Sequence, residues 1–471
     1  METCRKLKCP TQSWERLPPS GRASHLRLWL FLAAFLLLLS PTIRTVQAAD
    51  GEAAPAKLTA EEVSKISAIC VSCHTEESRG IVQQWGQSKH YGAKVGCYEC
   101  HQAEKGDPDA VMHKKYLISV LVTPKDCGRC HPAAAKQYTE SKHAQAASSM
   151  EKGIDHTLAT VVQGNGTEAG IAAATTGCVK CHGSKVKIMP SGKFDPATWP
   201  NSGIGRVNPD GSVGTCTACH QQHDYSLAQS RRPETCGRCH QGSAHAQQEI
   251  YGQSKHGIGF QANLANMHLD SPKWIPGQDY VSGPTCATCH MSATLKTGVT
   301  HDVSQRISWN LTQPVSKKDE KADDRRKEMR AVCTSCHTEK TVLSFYEQFD
   351  NIVNLYDSKY GEPGSRLMEG LLKAGLRTEK AFDDPIEWTW FKLWHQAGRN
   401  ARQGAAMQAP DFVQWQGFYE IARLFYAELI PQAEALIQKA EAAGRGDAVK
   451  EVKKLLDDIK NDPANKWMNG Q

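Results

Sequence analysis

The sequence predicts a mostly α-helical fold, and three observations predict it. Eight C-x-x-C-H pentapeptides lie between residues 70 and 337 at irregular intervals of 20 to 51 residues, with little period-2 alternation between them. Short turns rich in Gly and Pro separate them, which favours brief helices opening just after each pentapeptide over long strands. Beyond Thr338 the pentapeptides stop and apolar residues recur at helical spacing.

The pentapeptides are Cys70–His74, Cys97–His101, Cys127–His131, Cys178–His182, Cys216–His220, Cys236–His240, Cys286–His290 and Cys333–His337. Two thiols three residues apart can add to the vinyl groups of one porphyrin, and the next imidazole can ligate its iron, so C-x-x-C-H is the attachment signature of c-type haem. The chain's own Cys and His frequencies would yield roughly 0.03 copies by chance. Zinc ribbons and disulfide frameworks explain paired cysteines but not a histidine after every second one. The sequence therefore predicts eight c-type haems and their irons: Cys70, Cys73, Cys97, Cys100, Cys127, Cys130, Cys178, Cys181, Cys216, Cys219, Cys236, Cys239, Cys286, Cys289, Cys333 and Cys336 as thioether positions, and His74, His101, His131, His182, His220, His240, His290 and His337 as proximal ligands. At about one haem per fifty residues the porphyrins replace much of the side-chain core. The fold class is thus a mostly α multihaem cytochrome c array with a long helical C-terminal region.

Residues 1–48 read as a secretory signal peptide: Arg22 and Arg27 precede the apolar run Leu28 to Leu39, and Val46-Gln47-Ala48 offers small residues at cleavage spacing. The run is short for a membrane span, which needs about 20 residues. Export to the periplasm is expected, with membrane association if the segment is retained. Cys4 and Cys9 would leave with it. The formal charge of +6 belongs largely to this segment; the remainder carries 49 basic against 48 acidic residues, no footing for a nucleic-acid partner. Residues 49–337 form the expected octahaem domain and 338–471 a helical domain for packing or oligomerisation.

Within the first of these, Lys317 to Arg330 is a run of charge, read as a solvated helix face leading into the eighth motif. In the second, Leu343, Tyr346, Phe349, Ile352 and Leu355 predict an amphipathic helix that Gly361-Glu362-Pro363-Gly364 breaks. A longer helix follows from about Asp411, with Phe418, Ile421, Phe425, Leu429, Leu436 and Ile437 on its apolar stripe, a kink at Pro431 and an end at Gly444-Arg445-Gly446.

Ten histidines outside the motifs and the signal are available as second axial ligands: His90, His113, His143, His156, His223, His245, His256, His268, His301 and His395. His90, His143 and His256 share the tripeptide Ser-Lys-His, and that recurrence favours a common task. His223 follows the fifth motif by three residues, so on a continuing helical turn it would face a neighbouring haem, and it is the candidate acid or base.

Motif number, the segments C-T-A-C-H-Q-Q-H-D-Y-S, P-E-T-C-G-R-C-H, E-I-Y-G-Q-S-K-H-G, C-A-T-C-H-M-S and T-H-D-V, and the tail A-P-D-F-V-Q-W-Q-G-F-Y-E together resemble the octahaem hydroxylamine oxidoreductase family over the whole mature chain. The resemblance implies a helical, commonly trimeric protein acting on small nitrogen compounds, with a five-coordinate catalytic fourth haem, held here by Cys178, Cys181 and His182, and seven bis-histidine haems. The expected distal ligands are His90, His113, His143, His156, His245, His256 and His301. His223 looks like the family's distal-pocket His and Tyr280 like its distal Tyr. The family's neighbouring Asp has no exact counterpart, Gln222 and Asp224 flanking His223. Oxidising members cross-link a Tyr of a neighbouring subunit to the catalytic haem; the corresponding residue here is Phe412, as in members associated with nitrite reduction. The expected reaction is therefore nitrite reduction to hydroxylamine, ammonium or nitric oxide, fed by a cytochrome or quinol-linked redox partner. Its rivals are oxidation of hydroxylamine or hydrazine at the same haem, a purely electron-transferring octahaem conduit, and sulfite or tetrathionate reduction of another multihaem family. Mass spectrometry and a pyridine haemochrome assay of the exported protein should count eight covalent haems; fewer would mean that some pentapeptides are coincidental.

Overall fold

In a computed structural model the described residues are 65–150, 154–164 and 167–465; the signal segment with Cys4, Cys9 and the apolar run lies outside them. The described residues all belong to one compact unit. Strand is confined, among the described residues, to two short antiparallel hairpins, Ala110–His113 with Tyr116–Ser119 and Trp309–Asn310 with Lys317–Lys318. No described helix is long and apolar enough to cross a membrane.

The helices of the motif region are indeed short, but many sit on the motif itself. Cys97–His101, Cys178–His182 and Cys286–His290 are each a helical turn, and Cys70–His74 lies inside Lys65–Glu77. Positions i, i+3 and i+4 share one helix face, so a single turn presents both thiols and the imidazole to the same porphyrin. The Ser-Lys-His tripeptides also have a structural cause. Ser88 and Ser254 each end one helix and begin the next, their hydroxyls accepting from the N–H of Tyr91 and Gly257, which fixes the direction in which His90 and His256 leave the backbone. Ser141 closes Pro132–Glu140 in the same way before His143.

Beyond the eighth motif the apolar side chains gather into one large core, with Leu367, Leu371, Leu393, Ile421, Phe425 and Leu429 completely buried. The helix expected after Thr338 is Glu339–Tyr356, yet its buried stripe is Val342, Tyr346, Phe349, Val353 and Tyr356. Leu343 and Leu355 face solvent. The helix is rotated from the expected face because the aromatics at 346, 349 and 356 take the inside positions. Gly361-Glu362-Pro363-Gly364 does not break the path: a π-helical turn, Asp357–Gly361, feeds directly into helix Glu362–Lys373, so that the missing N–H of Pro363 falls in the first turn where none is needed. Pro431 is placed alike after the π-turn Phe425–Leu429. Gly444, at φ +76°, ends Ile430–Ala442 and a further helix, Gly446–Asn461, packs back on it.

The charge run forms helix Ala322–Cys333, which is less solvated than expected: Arg326 lies 4.3 Å over the Tyr346 ring and pairs with Asp350 at 2.8 Å. The tail also reaches the motif region. Phe412 and Ala409 pack with Ala246 and Ile250, and Gly417 is required there, since a Cβ would strike the Phe412 carbonyl and Ala401. Phe425→Ala should therefore cost about 3–5 kcal/mol of stability, as large-to-small changes in a packed core do, measured by denaturant unfolding with all haems still attached; a loss below about 1 kcal/mol would show that this core can collapse onto the gap.

Candidate haem array and distal cluster

None of the sixteen described cysteines is in a disulfide, and no group of three or more His, Cys, Asp or Glu side chains converges as a metal cage among the described residues. Disulfide and zinc-ribbon arrangements are thereby absent from this part of the chain.

The imidazoles are arranged in facing pairs. Ring centres are 6.2 Å apart for His74 and His113, 6.2 Å for His90 and His131, 6.4 Å for His101 and His223, and 6.1 Å for His143 and His240. They are 6.4 Å apart for His220 and His301, 6.0 Å for His256 and His337, and 6.2 Å for His182 and His245. Metal–nitrogen bonds of about 2 Å, with about 1.1 Å from nitrogen to ring centre, separate two imidazoles on one ion by about 6.2 Å. The residues thus fit haem iron between them. His101 and His290 donate Nδ1–H to the carbonyls of Ser119 at 2.8 Å and Val303 at 3.1 Å, which leaves Nε2 to face a metal. Burial, first among the causes, lowers His143, His220 and His245 to about 4, so all three are neutral near pH 7, the ligating form.

Six of the seven histidines expected opposite a motif are so placed. The seventh, His156, is exposed and faces no described histidine ring; the place falls to His223, opposite His101 of the second motif and away from the fourth. Cys216–Ala218 is only a 3₁₀ turn followed by irregular chain, so the i,i+3 geometry read from the sequence does not apply to His223. Asp224 accepts from the Ser226 N–H at 3.4 Å. Tyr280 is buried, stacked 4.6 Å from Trp274, with its hydroxyl 2.6 Å from Thr288 Oγ1, which puts it beside the seventh motif. His268 is exposed. His290 alone among the motif histidines faces no second imidazole among the described residues.

Thiol neighbours give the order of the motifs in space. The Cys70 sulfur lies within hydrogen-bond reach of Cys97, Cys127 of Cys216 and Cys236 of Cys286, while Cys100 is close to Cys127, Cys219 to Cys236 and Cys289 to Cys333. The run is first, second, third, fifth, sixth, seventh, eighth. The fourth stands off it, Cys181 touching Cys239 of the sixth.

That fourth motif is held firmly. Gly183, at φ +85°, turns the chain after His182, and Gly203 lies so close that a Cβ would overlap the Gly183 backbone. The loop then bonds back, Ile204 N–H to the Cys181 carbonyl at 2.8 Å and Gly205 N–H to that of His182 at 3.1 Å. Facing it is more than one imidazole. His245 neighbours both His182 and His395, the latter with its ring centre 6.4 Å away and only 2 % exposed. His395 belongs to the π-helical segment Lys392–Ala397 and stacks 4.3 Å from Phe391. The Arg399 guanidinium donates to the Ala244 carbonyl at 3.4 Å and that of Thr312 at 2.7 Å, and its charge is the second cause, after burial, that lowers His245. Sequence reasoning left His395 outside the distal set and missed Arg399. A histidine inside the apolar run W-T-W-F-K-L-W-H was the available signal.

Comparison with known proteins gives two family matches: one described as seven times multi-haem cytochrome CxxCH, over residues 205–385, and one described as cytochrome c554 and c-prime, over residues 41–102 and 126–198. A curated relative from Kuenenia stuttgartiensis, a probable nitrite reductase-hydroxylamine oxidoreductase fusion protein, is 24% identical over 246 residues, 47% of this chain and 25% of the relative, so the match spans about a quarter of that protein. A solved hypothetical multiheme protein superposes with a TM-score of 0.73 at 24% identity, covering 81% of this chain and 97% of that one. A reducing HAO-like protein complex of Kuenenia stuttgartiensis gives 0.60 at 19% identity, covering 81% and 87%. Motifs, family matches and shared fold together make this chain a mostly helical multihaem c-type cytochrome.

Proposed function

We propose that the protein is an exported octahaem c-type cytochrome oxidoreductase that transforms small nitrogen compounds at its fourth haem, reducing nitrite in preference to oxidising hydroxylamine or hydrazine. The observation that carries the reading is the file His182, His245, His395, with Arg399 beside it, at the one motif that stands off the run of the others. A conduit needs one imidazole per face; a catalyst needs protons and a hold on its substrate as well. Haem bound by Cys178, Cys181 and His182 would supply electron transfer and an iron for a nitrogen oxide. At 6.2 Å from His182, His245 would have to move off the iron position to leave room for a nitrogen oxide; displaced, it would pass protons to the bound substrate, with His395 as its neighbour and Arg399 favouring an anion. The bound haems would supply the electrons for N–O cleavage.

In this reading His223 closes the second haem, and His90, His113, His143, His256 and His301 close the third, first, sixth, eighth and fifth. His156 closes none, and neither Tyr280 nor Asp224 serves the fourth site. Phe412 supports the reductive direction: it lies beside Ala246 and has no phenol with which to bond a porphyrin. The fusion relative, whose name joins both activities, supports the substrate class. Trimer formation, and a cytochrome or quinol-linked donor, complete the proposal. A low-potential donor should drive nitrite consumption faster than an acceptor drives hydroxylamine oxidation, and haem peptides should carry no tyrosine; a tyrosine adduct, from Tyr419 for example, restores the oxidative reading.

A second reading has its own observation. His290 is unopposed while His245 stands at ligand distance from His182, which would close the fourth haem and leave the seventh open. One variant separates the two. His245→Ala should lower nitrite turnover about 10²–10⁴-fold, the usual range for a lost general acid, without converting a low-spin haem to high-spin in the electron paramagnetic resonance spectrum. If a new high-spin haem appears, His245 is a ligand and the seventh haem is the reactive one. His223→Ala, by contrast, should keep eight haems attached and turn one low-spin signal high-spin; an unaltered spectrum with slow turnover would return His223 to the role of acid.

A further inference from the structure

Beside the seventh motif lies a buried cation. Arg306 is 2 % exposed, and its guanidinium rests on the helical turn Cys286–His290 and the loop that follows. Its Nη1 donates to the carbonyls of Cys289 at 3.1 Å and Thr288 at 3.5 Å, and its Nη2 to those of Ser292 at 2.9 Å and Gly298 at 3.3 Å. All of these acceptors are neutral. Among the described residues the Nε–H meets no acceptor and no carboxylate bonds the guanidinium; Glu328 acts on it only through space. Arg206, buried beside the fifth motif, lies by contrast in the field of two carboxylates, Asp109 and Asp210. Taking a guanidinium out of water without an ion partner is costly. Carbonyls can hold such a cation, but they do not cancel its charge.

The field of Arg306 reaches both the Cys289 sulfur and the His290 ring, two of the groups by which the chain would hold the seventh haem. A fixed positive charge favours the ferrous state, because reduction lowers the charge on the iron by one. Burial keeps salt from screening the effect. We propose that Arg306 is a potential-setting residue: its uncompensated charge raises the reduction potential of the seventh haem and makes that motif the place where the array holds an electron. The place suits a store. Cys286 is within reach of Cys236 of the sixth motif, and Cys239 of that same motif touches Cys181 of the fourth. An electron kept at the seventh motif is therefore one neighbour away from the junction that serves the fourth. The inference holds whichever of the fourth and seventh haems meets substrate.

The test is a spectroelectrochemical titration of the full-length exported protein. His290→Met marks the wave of the seventh haem, since methionine ligation displaces a c-type potential upward, and mass spectrometry of the peptide spanning Cys286–His290 verifies that haem in every variant. Arg306→Gln removes the charge while keeping amide donors. It should lower that one potential, so that at a fixed poise the ferrous-to-ferric ratio falls roughly tenfold or more, as a unit charge several ångströms away gives at an effective dielectric of about 20. Arg306→Lys, which keeps the charge, should stay close to wild type. Glu328→Gln, on the half-buried flank of helix Ala322–Cys333, should move the same potential the opposite way. An unshifted potential in Arg306→Gln overturns the proposal. So do equal shifts in Arg306→Gln and Arg306→Lys, or shifts of one sign in Arg306→Gln and Glu328→Gln, which would make the arginine a clamp for the Ser292–Gly298 loop and nothing more. Should Arg306→Gln fail to fold with its haems, Glu328→Gln decides alone: a raised potential supports the proposal and an unmoved one overturns it.

Discussion

The structure depends on one spacing, the gap of 6.0 to 6.4 Å between facing imidazole rings. A helical turn can aim two thiols and a histidine at a flat ligand, but it cannot decide where that ligand lies; the second imidazole, brought from a remote segment, does so. His143 reaches the sixth motif and His301 the fifth, so each pair ties together chain segments that no apolar core joins. This explains why the buried residues of the motif region include so many hydroxyls, Ser67, Ser88, Ser141, Ser254, Thr215, Thr285 and Thr288 among them. Ser88, Ser254 and Thr285 among them cap the starts of short helices and so fix their angles. The apolar core, free of that geometric demand, collects in the tail.

The same division decides what could be read in the sequence. Attachment positions are local and were legible, because a pentapeptide carries its own geometry. The Ser-Lys-His histidines were legible for a related reason: the serine cap that aims the ring is part of the motif. Pairings are not local. Spacing set His223 apart but pointed it at the wrong task, and only the path of the chain puts His156 in solvent and His223 against His101. Tyr280 sits six residues before the seventh motif, and the fold keeps it there, on Thr288. In the tail, helical periodicity was clear but its phase was not: alternatives one residue apart in Glu339–Tyr356 are nearly equal in apolar content, and the partners, Arg326 over Tyr346 among them, choose the face.

His395 shows the cost of reading an aromatic run as core. Trp390, Phe391 and Trp394 are core, and they hold an imidazole in a π-helical turn among themselves. A π-turn inserts a residue into the helix and so rotates the side chains after it; here it accompanies the delivery of His395 and, one turn on, Arg399 toward His245. Some 130 residues without a haem motif are hard to explain as support for the eighth motif alone. On the proposed reading they supply a part of the fourth site that the motif region lacks, His395 beside His245.

The spur position of the fourth motif then has a physical sense. Electrons can run along seven motifs in sequence whether or not the fourth is occupied by substrate, because no path between the others has to pass through it. A reaction that takes electrons in several steps benefits from a store that refills independently of the site that spends it. Protons cannot share that route: they need titratable groups, and His395 of the tail neighbours His245. On the proposed reading the dead end for electrons would separate the two supplies, protons arriving from His395 by way of His245 while Cys239 and Cys181 mark where electrons would enter.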